Sequence, residues 1–219
     1  DQGIIFPAID AATTVTLTNV AAESSGAATY QPLRFDSTVA GPVTISGGTF
    51  TQPGATRSGI FFLGAITAAV SISDVTATGG NTCILFNDLQ APLTMKNVVA
   101  TSTSATGNGL LFIAITAAAT SISITGSSFT GVDRGISFPA LAAATAITLD
   151  GVTASATGST DQALRFDGTV AGPVTITGGT FTQSAASVTA IYFQLAVTGA
   201  VAMSGLTATS GHNAIVFVS

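Results

Sequence analysis

Side chains able to do acid–base or nucleophilic chemistry are few in this sequence, and they are scattered. Ten acidic residues, five basic residues, one histidine and one cysteine are spread over 219 positions. Arg34 stands two residues before Asp36, and Arg165 two before Asp167. On a strand that spacing puts both members of a pair on one face. Such neighbours read as solvated ion pairs. Acid catalysis would need two carboxylates to meet, and Asp36 and Asp167 are 131 residues apart. His212 has no serine or cysteine nucleophile at a matching position and reads as a loop residue. Cys83, being single, rules out an intrachain disulfide and a thiolate metal cluster. It occupies a position filled elsewhere by Gly59, Gly109, Gly135 or Ala163, which points to a small buried residue. No glycine cluster forms a phosphate-binding loop that opens a helix, and no residue set calls for a cofactor or metal.

The elements that carry these residues follow from an internal repeat. A nonapeptide pattern starts at Val15, Val43, Val70, Leu93, Ile122, Ile147, Val174 and Val201, with spacings of 28, 27, 23, 29, 25, 27 and 27 residues. This suits one turn of a three-stranded solenoid, and it is too short for a helix pair with its loops. Within each copy the alternation has period 2, as in Val43-Thr44-Ile45-Ser46 and Val174-Thr175-Ile176-Thr177. The fifth position is Asn19, Gly47, Asp74, Asn97, Gly126, Gly151, Gly178 or Gly205. These residue types tolerate positive φ at low cost, so a tight bend is expected at one fixed place in each coil.

After the bend a second strand alternates, and its two inward positions compensate in volume. Gly48, Ser127 and Gly179 are followed by Phe50, Phe129 and Phe181, whereas Val20, Val75, Val98, Val152 and Leu206 are followed by Ala22, Ala77, Ala100, Ala154 and Ala208. A shared, close-packed interior explains this pairing. A third strand reads aliphatic–any–phenylalanine. Its phenylalanines are Phe6, Phe35, Phe62, Phe86, Phe112, Phe138, Phe166, Phe193 and Phe217, and they are expected to form one inward column. An Ala-rich turn follows each of the first eight, anchored by Ile9, Val39, Ile66, Leu89, Ile115, Leu141, Val170 or Val197. The fold class is therefore all-β: a single-stranded parallel β-helix of about eight coils of about 27 residues, with three short strands per coil and an inward Phe ladder. The crossover rule makes it right-handed.

A strand, a one-residue Asn/Gly bend, a second strand, a loop, then a G-I-x-F-type strand resembles the pectate-lyase-like right-handed β-helix superfamily over the whole chain. In enzymes of that superfamily the active cleft lies outside the Phe-type strand. The outward positions there are Ile5, Arg34, Phe61, Leu85, Leu111, Ser137, Arg165, Tyr192 and Val216, with no carboxylate among them. Neither paired acids nor a calcium-binding acidic cluster is expected on that face, and the resemblance is to the non-enzymatic, repetitive surface or fibre type.

A longer period overlies the coils. Leu33–Gln52 and Leu164–Gln183 agree at eighteen of twenty positions at an offset of 131 residues, a super-repeat of five coils. Residues 1–219 read as one domain, a slice of a longer array with no cap at either end and no signal peptide. Only 7% of residues are charged while 47% are hydrophobic, and mean hydropathy is +0.62, which excludes disorder. No run is long enough for a membrane span. A net charge of −5 with scattered basic residues excludes nucleic acid as a partner.

Two surfaces remain. One is an apolar stripe, Ile5, Phe61, Leu85, Leu111, Tyr192 and Val216, expected to make lateral contacts. The other is a pair of outward threonine columns on the second strand. The first runs Thr49, Thr76, Val99, Ser128, Thr153, Thr180, Thr207; the second runs Thr51, Thr78, Thr101, Thr130, Ser155, Thr182, Thr209. β-Propensity on a solvated face accounts for such columns, yet ranked T-x-T motifs also resemble ice-binding faces. Lys96 and Asp150 on the neighbouring strand would interrupt such a face if it extended there. The expected function is that of a non-catalytic structural segment of an extracellular or cell-surface fibre, filament or adhesin, associating with itself end to end or laterally. The alternatives are ice binding and a polysaccharide-binding module.

Overall fold

The computed structural model describes residues 3–24, 31–54 and 56–218. All of its regular structure is β, and among the described residues there is no helix, hence none long and apolar enough to cross a membrane. Every strand pairing is parallel. Each coil therefore hydrogen-bonds to the coils before and after it, and the chain is a parallel β-solenoid.

One sheet of nine strands runs from Ile4–Phe6 through Leu33–Phe35, Ile60–Ile66, Thr82–Leu89, Asn108–Ile115, Ile136–Phe138, Leu164–Phe166 and Ile191–Phe193 to Ile215–Phe217. It carries the phenylalanine column: eight consecutive ring pairs are stacked, with centroids 4.3–5.1 Å apart and planes within 2–16° of parallel. Parallel in-register pairing fixes that spacing, because each ring inherits the distance between neighbouring strands. A buried ring contributes about 2–3 kcal/mol through burial, so the column is a main source of stability. The Ala-rich turns are held the same way, by single bridges from Ile9 through Val39 to Ile66 and from Leu141 through Val170 to Val197.

The first and second strands of each coil belong to one 14-stranded sheet, because in two coils, Val15–Glu23 and Val43–Thr51, the chain stays strand-like through the bend. The bend itself lies where the Gly/Asn/Asp column places it. Asn19, Asp74 and Asn97 have φ of 52–56°, and Gly47, Gly126, Gly151, Gly178 and Gly205 have φ of 58–69°. Asn97 donates from Nδ2 to Asp74 Oδ1 at 2.9 Å, so the polar bend residues also pair between coils.

The volume compensation on the second strand has a different cause from the one its sequence pattern implies. Gly48 and Gly179 have φ of 104° and 85°. A Cβ on either would strike the backbone of the preceding coil, including Val20 N at 2.7 Å and Val152 N at 2.8 Å. Backbone, not spare volume, requires glycine in these two copies. Ser127 fills the equivalent place differently: its hydroxyl accepts from Val98 N and donates to the Thr125 carbonyl, both at 3.0 Å. Volume is instead matched between coils. Phe50 pairs with Ala22 and Ala77, Phe129 with Ala100 and Ala154, and Phe181 with Ala154 and Ala208. Each ring is accommodated by a methyl group above and below it.

Candidate functional site

The threonine columns form a regular, in-register surface. Outer residues pair in register through seven coils: Thr49 with Thr76, then Val99, Ser128, Thr153, Thr180 and Thr207. The companion column, Thr51, Thr78, Thr101, Thr130, Ser155, Thr182 and Thr209, pairs in the same ladders with no register shift. The first column is exposed except at Ser128, and the second is half-buried up to Thr182. Ser155 donates to Thr130 Oγ1 at 3.1 Å, so hydroxyls of neighbouring coils also bond along the column. Ala21 and Glu23 replace the threonines in the first coil, and Val99 removes one hydroxyl in mid-array. Lys96 and Asp150 lie exposed on the first strand, beyond the bend.

The apolar stripe is less continuous than its sequence implies. Phe61, Leu85 and Leu111 do pair in three successive coils, but they are half-buried, as are Tyr192 and Val216, and only Ile5 is exposed. Arg34 lies over the Phe61 ring at 6.0 Å and Arg165 over the Tyr192 ring at 5.8 Å, covering part of each. Ser137 is fully buried beneath the arginine and aspartate described next. Ile113, at 52% exposure, extends the three-coil patch on the same sheet and was not among the outward positions read from the sequence.

The largest departure from expectation is a charged network on the outer side of the phenylalanine sheet. Arg165 was expected to form a solvated pair with Asp167. It does bind Asp167, at 2.5 Å, and also Asp161 at 2.6 Å, Gln162 at 3.2 Å and Gln194 at 2.7 Å. From the preceding coil, Arg134 reaches Asp161 at 3.0 Å, Asp167 at 3.1 Å and Ser137 at 3.3 Å. Ser137 in turn donates to Asp167 at 2.8 Å. Asp133 stands half-buried beside Arg134 in the same loop. The side chains of Asp161 and Arg165 are only 14% and 17% exposed, so this is a partly buried cluster across three coils. Arg34 remains closer to the simple expectation, paired with Asp36 and bonded to Gln31.

Carboxylates reach this face although none stands at an outward strand position: Asp161 and Asp167 are both bound by Arg134 and Arg165. Asp133 and Asp161 escape a search of the outward strand positions because both lie in the loops that precede their strands. Coil stacking, not strand alternation, brings them together. Burial raises the Asp133 carboxyl to about 6, helped by the hydrogen bond to Asp161 and its charge, while Arg134 and Arg165 pull the other way. For Asp161 burial also acts upward, but the hydrogen bond from Asp133 and the two guanidinium groups outweigh it and hold the carboxyl below its usual range. No family model matches this chain, and neither does any curated protein or solved structure. What the surface does must therefore be argued from its own geometry.

Among the described residues no group of three or more His, Cys, Asp or Glu is arranged to hold a metal ion. His212 is exposed in the loop before the Ile215–Phe217 strand. Cys83 is fully buried, and desolvation pushes its thiol up to about 12, so it packs as a small apolar group. An open recess of about 430 Å³ lies at the last coil between Ala196, Val197, Phe217 and Val218, none of which carries a charge.

Proposed function

We propose that the chain is a non-catalytic structural segment of an extracellular fibre, filament or surface adhesin, of the repetitive type that resembles the pectate-lyase-like right-handed β-helix superfamily. The observation that carries this reading is the continuity of the ladders through both copies of the super-repeat. Leu33–Phe35 and Leu164–Phe166 occupy equivalent places in one sheet, and the rings of Phe35 and Phe166 belong to one uninterrupted stack. Duplicating such a unit lengthens a rod without disturbing its cross-section. Lateral partners are other copies of the rod, meeting through the patch of Phe61, Leu85, Leu111 and Ile113. Sedimentation velocity over a range of concentrations tests this: the unmodified chain associates, and Phe61→Asp with Leu85→Asp and Leu111→Asp abolishes association. A chain that stays monomeric at high concentration and ignores these substitutions contradicts the lateral contact.

One observation favours a second reading, ice binding. The two threonine columns repeat at about 4.8 Å between coils and about 6.8 Å along the strand, without a register shift over seven coils. Ice crystals grown with the unmodified protein would then be shaped, and those grown with Thr130→Tyr would not. Crystals indistinguishable from those grown with an inert protein eliminate this reading.

A further inference from the structure

The outer face of the phenylalanine sheet carries two columns of side chains, two residues apart along each coil, and the columns complement each other. Where the first holds arginine the second holds aspartate: Arg34 with Asp36 and Arg165 with Asp167, each joined as an ion pair. Where the first holds Phe61 or Leu111, the second holds Leu63 or Ile113. Strand pairing puts these rungs in order along the solenoid. Arg34 pairs with Phe61, Phe61 with Leu85 and Leu85 with Leu111, and Leu111 leads through Ser137 to Arg165. The apolar patch is thus bracketed by two Arg-x-Asp rungs, five coils apart. The side chains of Asp36 and Asp167 are 37% and 32% exposed, so both carboxylates are open to a partner.

We propose that this face is covered by a second copy of the chain, lying parallel and in register, related by a twofold axis that runs along the solenoid between the two columns. The proposal rests on the lateral contact of the rod reading and adds its direction and register. Such an axis returns each coil to the level of its own counterpart and reverses the strand direction, so the first column of one copy faces the second column of the other. Arg34 then meets Asp36 of the second copy and the reverse, and Arg165 and Asp167 do the same. Phe61 meets Leu63 and Leu111 meets Ile113, which keeps apolar surface against apolar surface.

An antiparallel copy behaves differently. A twofold axis along the strands keeps the strand direction and reverses the coil order, so like columns face each other. With the charged rungs matched, it sets Arg34 against Arg165 and Asp36 against Asp167, and like charges at an interface are costly. Centred instead on Leu85, it lays Arg165 against Ile5 and Arg34 against the buried Ser137, and gains no ion pair. Charge therefore selects the parallel copy.

Charge exchange at the Arg34–Asp36 rung tests the register in solution. Association of Arg34→Asp brings only carboxylates together at this rung, and association of Asp36→Arg only guanidinium groups. Each variant alone should associate at least about tenfold more weakly than the unmodified chain, and an equimolar mixture should return to within about threefold of it. Sedimentation velocity with one variant fluorescently tagged reads the mixed pair. Spin labels read the register with the interface unmodified. Asp10 and Thr198 are exposed and follow the turn anchors Ile9 and Val197 of the first and last coils. Cys83 is fully buried and stays unlabelled. With labels on Asp10→Cys and Thr198→Cys, a label at position 10 should lie nearer its equivalent in the second copy than a label at position 198 of that copy. The reverse order of distances overturns the parallel register and leaves lateral association standing. So does a mixture that associates no better than either variant alone while the unmodified chain associates. An unmodified chain that stays monomeric overturns both.

Discussion

Phe50 and Gly48 give the sharpest test of how the core is built. The Phe50 ring is fully buried and pairs with Ala22 and Ala77 in the adjoining coils. Neither alanine can move into the space the ring leaves, so Phe50→Ala should fall at the upper end of the range for such changes, about 4–5 kcal/mol. Volume compensation within the coil would predict that adding Gly48→Val recovers part of this loss. The backbone predicts the reverse. Gly48 has φ of 104°, and a Cβ there meets the Val20 amide nitrogen at 2.7 Å. A β-branched residue in that conformation costs about 1–3 kcal/mol from the backbone alone. Thermal and urea unfolding of the two variants should place the double below the single, with Ala77→Phe a better partial rescue because it refills the ring's space from the next coil. A double variant of Phe50→Ala and Gly48→Val that melts above Phe50→Ala refutes the reasoning.

At the bend, Gly151 has φ of 60° and open space around a built Cβ, with nothing nearer than Gly126 N at 4.0 Å. Gly151→Val is therefore expected to cost about 1–2 kcal/mol through conformation alone, while Gly151→Asn stays within about 0.5 kcal/mol of the unmodified protein in thermal melts. Arg165 and Arg34 occupy equivalent places in the two super-repeats, but only Arg165 bridges two aspartates and two glutamines. Removing it leaves Asp161 and Asp167 to Arg134 alone, so Arg165→Met should lose about 1.5–3 kcal/mol and Arg34→Met less than about 1. Equal losses in urea unfolding contradict the assigned difference.

The period-2 alternation, the bend column and the phenylalanine column were legible in the sequence because each is a local requirement repeated in every coil. Positive φ appears at all eight positions where residue type alone places the bend, Asn19, Asp74 and Asn97 among them. The glycine constraint at 48 and 179 was legible as a pattern but not as a cause, since a small residue looks the same whether volume or backbone demands it. The charged network was hidden for a different reason. Asp133, Arg134 and Asp161 lie in loops whose lengths vary from coil to coil, so no fixed offset marks them as neighbours. The one signal was the internal comparison, in which Ile5, Tyr30 and Leu63 give way to Ser137, Asp161 and Gln194 at otherwise matched positions. Strand alternation marks the stripe positions as outward, but the partial cover of Phe61 by Arg34 and of Tyr192 by Arg165 cannot be read from it.

Small-angle X-ray scattering of two chains tests the central claim of a rod built by stacking super-repeats. One chain is the unmodified protein, and the other carries a second copy of residues 33–163, the 131-residue unit, inserted in tandem. Five added coils at about 4.8 Å each should lengthen the particle by about 24 Å and leave its cross-sectional radius of gyration unchanged. A thicker cross-section, or a second lobe with no growth along the first axis, would contradict a continuous solenoid.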